Sequence, residues 1–351
     1  PRGGGLQLEV ETIVENANAP VDLAFAPDGR VFYTEKATGQ IRIIENRSLV
    51  DDPFATLVVN HHSERGLLGI TLHPGFATNH LLYVFYSRST TDEITSGEDE
   101  IAEHRIVRFD ASQNVGTGGE EILVTLPGEG PGNHNGGSIR FGPDGKLYVS
   151  LGDLANSSNS QNLDSLSGKI LRYNDDGTIP DDNPFGEDSA VFASGIRNTF
   201  GIAFDSEGRL FGNENGPGNH DEVNLLLAER NYGWPEVQGF ADESDEQAFA
   251  SVNASYHEPL VDKTDGSVGS AGLDVIADST YGGQFAGHVV YGEYRNQRIM
   301  RLVVGDDSNR KELEVFYAGL PSTPNGLRFA PDGILWVATA NSIIRLVPTF
   351  E

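Results

Sequence analysis

One phrase recurs along the chain and limits what it can fold into: a short apolar strand, Pro-Asp-Gly or a near variant, then a second apolar strand. It first appears as Leu23-Ala24-Phe25-Ala26-Pro27-Asp28-Gly29-Arg30-Val31-Phe32-Tyr33. It returns at residues 139–149, 202–211 (with Ser206-Glu207-Gly208 at the turn) and 327–337, and a looser copy joins Leu72-His73-Pro74-Gly75-Phe76 to Leu81-Leu82-Tyr83-Val84. Proline presets the turn, aspartate bonds its own backbone and glycine takes the positive φ, so each phrase folds back as a hairpin. Helical periodicity is scarce. Five hairpins over 351 residues, with room for another between 200 and 330, predict an all-β chain built as a six-bladed β-propeller. Ring closure is expected where residues 6–14 meet the last strands, ending at Ile343-Ile344-Arg345-Leu346-Val347. No low-complexity linker interrupts the sequence, so residues 1–351 read as one domain.

Composition removes several classes of function. With no cysteine, thiol catalysis, disulfides and thiolate metal sites are excluded. Aspartate and glutamate outnumber lysine and arginine by 52 to 24, for a formal charge of −28, which repels nucleic acid and anionic membranes. Only five of the basic residues are lysines: Lys36, Lys146, Lys169, Lys263 and Lys311. High acid with scarce lysine reads as adaptation to strong salt, where counterions screen self-repulsion. No stretch approaches the roughly 20 apolar residues of a spanning helix, so membrane insertion is not expected. Residues 1–5 lead straight into polar–apolar alternation, as in a mature exported chain. The expected placement is extracellular or at the cell surface, with the cytoplasm as the alternative, for a monomer or a homodimer.

Four segments put polar residues where a strand would simply begin or end. They are Glu64-Arg65-Gly66-Leu67-Leu68-Gly69-Ile70; Asn133-His134-Asn135-Gly136-Gly137-Ser138, with Leu151-Gly152-Asp153 closing its partner strand; Gly195-Ile196-Arg197-Asn198-Thr199-Phe200-Gly201; and Asn213-Glu214-Asn215-Gly216-Pro217-Gly218-Asn219-His220-Asp221-Glu222, running on to Asn231-Tyr232-Gly233-Trp234-Pro235. A neutral imidazole is a good proton acceptor near pH 7, and a carboxylate on its other nitrogen fixes the tautomer and raises basicity. His134 and Asp153, 19 residues apart, suit that pair. No dinucleotide loop, phosphate loop or Gly-x-Ser-x-Gly elbow is present.

In order and spacing these segments resemble those of the soluble pyrroloquinoline quinone (PQQ)-dependent glucose and aldose sugar dehydrogenases. The resemblance covers about residues 10–235 well, the last blade loosely and residues 236–320 weakly. It implies a six-bladed propeller that oxidises an aldose at C1 to the lactone, passing hydride to PQQ and electrons onward to an unidentified acceptor. It places His134 as general base and cofactor contact, Asp153 as the carboxylate that orients it, and Glu64, Arg197 and Asn198 against the cofactor. The carbonyls of Gly216 and Pro217 would hold the Ca²⁺ that bridges to PQQ, and Glu222 with the carbonyl of Tyr232 a second, structural Ca²⁺. The chain departs from the family in three places. Phe200 replaces a cofactor-contacting glutamine. Thr323 and Asn325 stand where relatives carry two arginines, so Asn325 inherits a cofactor position without its charge. The family's cofactor-contacting lysine aligns with Arg295 or, one residue earlier, Tyr294. Two alternatives follow: a cofactor-free binding propeller descended from the enzymes, and a calcium-dependent propeller lactonase whose metal would need several carboxylates at the ring centre.

Overall fold

Each Pro-Asp-Gly phrase forms the first hairpin of a blade. At the first copy the Gly29 N–H donates to the Ala26 carbonyl and the Ala26 N–H to that of Arg30, and Gly29 adopts φ +94°. The computed structural model describes residues 6–264, 266–277, 280–304 and 311–350. These residues form six antiparallel sheets arranged as a six-bladed β-propeller. The innermost strands, from blade one to blade six, are Pro20–Phe25, Leu67–Leu72, Ile139–Phe141, Thr199–Phe204, Ser270–Val275 and Pro324–Phe329. They touch one another in ring order around a central channel. Helix is confined to Phe76–Asn79, Ser158–Gln161 and Ser244–Val252 among the described residues, with a 3-10 turn at Gly283–Phe285.

Closure occurs where the sequence places it. Leu6–Glu15 pairs antiparallel with Ser342–Phe350, from Leu6 opposite Phe350 to Glu15 opposite Ser342, and so completes blade six. The blade without a turn phrase is the fifth, whose first hairpin, Ser270–Val275 with Val289–Glu293, is bridged by residues 276–288. Blades pack through apolar faces rich in aromatics, as where the Tyr83 ring of blade two and the Phe141 ring of blade three meet edge to face at 5.0 Å.

The inner strands share a waist. Five of the six carry a β-bulge near their upper ends, and Gly69, Gly201, Gly272 and Gly326 occupy equivalent places beside it. A Cβ on Gly326 would lie 1.8 Å from the Val21 carbonyl oxygen, so the strands converge where only glycine fits. The waist separates a cavity of about 480 Å³ at the mouth where inner strands begin from one of about 510 Å³ at the mouth where they end in turns.

Candidate active site

All four polar segments reach the upper mouth, because each lies just before an inner strand or just after the second strand of a blade. His134 sits in the left-handed region at φ +58°, which costs a non-glycine residue energy unless its surroundings hold it there. They do. Its N–H donates to Glu64 Oε2 at 2.8 Å, and its carbonyl accepts from the Leu154 N–H at 3.3 Å. Gly152 permits that approach, since a Cβ there would lie 2.1 Å from the His134 oxygen.

His134 Nδ1 is 2.7 Å from Asp153 Oδ1. Asp153 is buried, and its oxygens also accept from the Ala155 N–H and the Trp234 indole N–H, each at 2.8 Å. An ionised carboxylate only accepts, so opposite one the neutral imidazole carries its proton on Nδ1 and keeps its lone pair on Nε2. The His134 side chain is 16 % exposed, so the pair is sheltered without being sealed.

Glu64 joins this pair to the cavity. Its Oε2 also accepts from Asn198 Nδ2 at 3.3 Å, its Oε1 accepts from Asn133 Nδ2 at 3.5 Å, and Asn198 Oδ1 accepts the Gly136 N–H at 3.0 Å. Glu64 and Asn198 line the upper cavity with Lys36, Asn215, Phe200 and Asn325, against a largely apolar remainder. Arg197 donates to the Asn215 carbonyl at 2.6 Å, and its guanidinium stacks 5.3 Å over the Trp234 ring. Asn325 donates to the Pro20 carbonyl at 2.9 Å.

A second group of buried polar residues lies beside Arg197. Glu214 accepts from the Arg197 N–H at 2.7 Å and the Thr199 hydroxyl at 3.2 Å, yet burial pushes its carboxyl up to about 7. Glu222 is pushed well above the usual carboxylate range by burial and by the charge of Glu214. Its oxygens accept from the Gly239 N–H and from Asn224 Nδ2, while the buried Asn224 Oδ1 has no hydrogen-bond partner among the described residues. The turn at Gly216 is folded tightly on itself, and a Cβ there would lie 1.8 Å from the Asn219 carbonyl oxygen. The Tyr232 side chain points into its blade, its hydroxyl donating to the Leu225 carbonyl at 2.5 Å. Among the described residues no three His, Asp or Glu side chains converge to hold a metal. The carboxylate cluster on which the lactonase alternative depends is therefore missing from those residues.

One expected residue lies elsewhere. Arg295 is exposed and donates to the Ser267 carbonyl at 3.0 Å, and it is Tyr294 that lines the cavity. The two leave a strand end at a turn, where one residue of register reverses the direction of the side chain. Sequence reasoning also left Lys36, Asn215 and Trp234 without roles. Lys36 had a signal, as one of five lysines and the first residue after strand Val31–Glu35 of blade one; burial holds its amine below the usual range.

Residues 17–347 match the Glucose / Sorbosone dehydrogenase family. The chain belongs to that family. It is 32% identical over 305 residues to Quinoprotein glucose dehydrogenase B of Acinetobacter calcoaceticus, covering 79% of this chain and 63% of that protein. It is 31% identical over 236 residues to Aldose sugar dehydrogenase YliI of Escherichia coli, covering 65% of this chain and 62% of that one. The chain thus spans under two thirds of the length of either relative. The PQQ-bound structure of an aldose sugar dehydrogenase from Streptomyces coelicolor superposes with a TM-score of 0.81 at 27% identity, covering 99% of both chains.

Proposed function

We propose that this family member oxidises an aldose sugar at C1 to the lactone, using PQQ and Ca²⁺. The observation that carries the reading is the chain Trp234–Asp153–His134, with Glu64 binding the His134 backbone at the edge of a cavity of about 480 Å³, within the roughly 300–1,000 Å³ of small-molecule sites. PQQ, when bound, supplies the hydride acceptor. His134 Nε2 takes the proton of the sugar's C1 hydroxyl, and Asp153 stabilises the imidazolium that results. Trp234 and the Ala155 N–H hold the Asp153 carboxylate in place while this charge develops.

The residues fit a quinone in size and in amide donors, with few cations. Asn198, Asn325 and Lys36 line the wall where it would sit, the Asn325 amide already donating to the carbonyls of Pro20 and Thr339, and Arg197 lies beside the wall. Thr323 and Asn325 leave out two charge-assisted hydrogen bonds of about 1.5–3 kcal/mol each, so cofactor affinity is expected to be weak. For Ca²⁺, a hard cation that accepts backbone carbonyls, the folded turn at Gly216 and Pro217 supplies oxygens. Glu222 and the unpartnered Asn224 Oδ1 favour a second cation, whose charge would offset the burial of Glu222.

The test is turnover of aldoses by protein reconstituted with PQQ and Ca²⁺, with an artificial electron acceptor. His134→Gln is expected to lower turnover by about 10²–10⁴-fold and to leave PQQ binding nearly unchanged. Thr323→Arg with Asn325→Arg is expected to tighten PQQ. If neither wild type nor this double variant oxidises any aldose at saturating cofactor, the chain is better described as a binding propeller derived from the enzymes.

A further inference from the structure

Two cations are buried at the upper end with no ion pair to a carboxylate among the described residues. Arg65 and Lys169 are both fully buried. Arginines of the channel and the lower turns, such as Arg140, Arg172 and Arg345, all meet an aspartate. Among the described residues, Arg65 and Lys169 donate instead to backbone carbonyls alone. Arg65 NH1 bonds Glu98 O at 2.6 Å, and its NH2 bonds Gly128 O at 3.2 Å and Gly130 O. Lys169 Nζ bonds the carbonyls of Asn159 (2.7 Å), Ser167 (2.9 Å) and Ser160 (3.1 Å). Burial pushes Lys169 down only to about 8, so it remains a cation at neutral pH. Burying a charge away from a counter-charge is expensive, and backbone carbonyls satisfy it only if they are held in convergence.

Apart from that of Glu98, which lies in the connection before Ile101–Asp110, the carbonyls belong to the two loops that frame the acid–base pair. Residues 127–138 approach His134 with no regular structure. Glu64 and Arg65, adjacent in sequence, fasten this loop at two points: Glu64 takes the His134 N–H, and Arg65 takes the carbonyls of Gly128 and Gly130. The second loop follows Asp153. Lys169 gathers three of its carbonyls, and Asn159, one of those three residues, donates its side-chain amide to the Asp153 carbonyl at 3.0 Å. Each cation therefore fixes one partner of the His134–Asp153 bond.

We propose that Arg65 and Lys169 are positioning residues that hold the two loops so that Nε2 of His134 faces the substrate in one direction. The effect on turnover rests on the dehydrogenase reading above, but the effect on the His134–Asp153 bond does not. A misplacement of about 1 Å at a reacting group can lower turnover about 10²-fold. Arg65→Met and Lys169→Met are each expected to reduce kcat by about 10–100-fold while KM for the sugar moves less than about threefold. They are also expected to shift the limb of the pH–rate profile that reports His134.

The independent readout is NMR of protein carrying ¹⁵N-histidine, with the His134 signals identified by their loss in His134→Gln. Wild type should show a protected, downfield Nδ1–H, and both methionine variants should lose it or exchange it faster. Arg65→Lys and Lys169→Arg, which keep the charge but alter its reach, should give intermediate signals. They carry the test alone if the methionine variants do not fold. The proposal is overturned if folded variants lose thermal stability but keep the wild-type Nδ1–H signal and pH–rate profile. If wild type oxidises no sugar, the NMR comparison still decides the positioning role, and the failure belongs to the functional reading.

Discussion

The two ends of the channel bury their polar groups in different ways. At the lower end charges pair with charges. Asp22 of blade one accepts both terminal nitrogens of Arg140 of blade three at 2.8–3.0 Å, and Arg328 of blade six approaches it at 3.3 Å. The aspartate of each true Pro-Asp-Gly turn meets an arginine: Asp28 with Arg30 (2.7 Å), Asp144 with Arg172 (2.9 Å) and Asp332 with Arg345 (2.9 Å). At the upper end, among the described residues, Lys263 pairs with Glu293 at 3.2 Å, but Arg65 and Lys169 bind only carbonyls, Glu222 is buried against the charge of Glu214, and Asn224 Oδ1 has no hydrogen-bond partner. Buried polar atoms without hydrogen-bond partners occur at both ends among the described residues, on Arg328, Arg345 and Trp336 below and on Asn224 above. What sets the upper end apart is that its buried Glu214, Glu222 and Asn224 lie beside the polar segments of the site, where a bound ligand could offset their burial.

The largest expected effect tests the upper end. Asp153→Asn should remove most turnover, by about 10²–10⁴-fold, because an amide cannot stabilise the imidazolium as a carboxylate does. Its thermal midpoint should stay near that of wild type. Loss of stability comparable with the loss of activity would erase the distinction between the ends.

The converse change comes next. Asp22→Ala should cost about 3–5 kcal/mol, since Arg140 would be left buried beside a vacated site. Measured by denaturant unfolding, that loss should come with little change in turnover per folded molecule. A selective loss of activity would show that the ion pairs reach the chemistry through the waist.

A smaller effect concerns Asp274, which faces the lower cavity and accepts the Phe329 and Val275 N–H groups at 2.8 and 2.9 Å. Burial pushes its carboxyl up to about 6 from the ordinary 3.8. Since the folded value is the higher, its contribution is fully present below pH 3.8 and is lost as pH rises through 6. The stability of Asp274→Asn relative to wild type should therefore improve across that window. A difference that does not vary with pH, measured by thermal melts, would place Asp274 among the fully compensated charges.

The smallest effect is global. At a formal charge of −28, added salt should raise the melting temperature by relieving self-repulsion, though it also screens the exposed pairs of the lower turns. A rise that continues into molar KCl would favour adaptation to salt; a flat or falling curve would leave an ordinary acidic protein.

The lower end was also the legible one. Turn chemistry is local, so Pro27-Asp28-Gly29 and its copies announced their hairpins, and even ring closure could be placed from the strands left over. Blade five was seen only as a gap, because residues 276–288 connect its first hairpin without the phrase. At the upper end His134, Asp153, Glu64 and Asn198 could be placed through their motifs. Trp234 could not be assigned, because nothing local ties an indole to a carboxylate 81 residues away. Arg295 and Tyr294 turned on one residue of register, which spacing alone does not resolve.

The seam between Leu6–Glu15 and Ser342–Phe350 gives the ring a history as well as a shape. A nascent chain can lay down blades one to five in order, yet residue 6 must wait for residue 350 before the circle locks. That last contact is the most distant in sequence and so the slowest to search for. It is a latch of hydrogen bonds on an otherwise continuous band, and therefore the natural place for the ring to open first. A circular permutant that joins the ends and cuts at Pro27-Asp28-Gly29 would move the latch to another blade without changing a single wall of the channel.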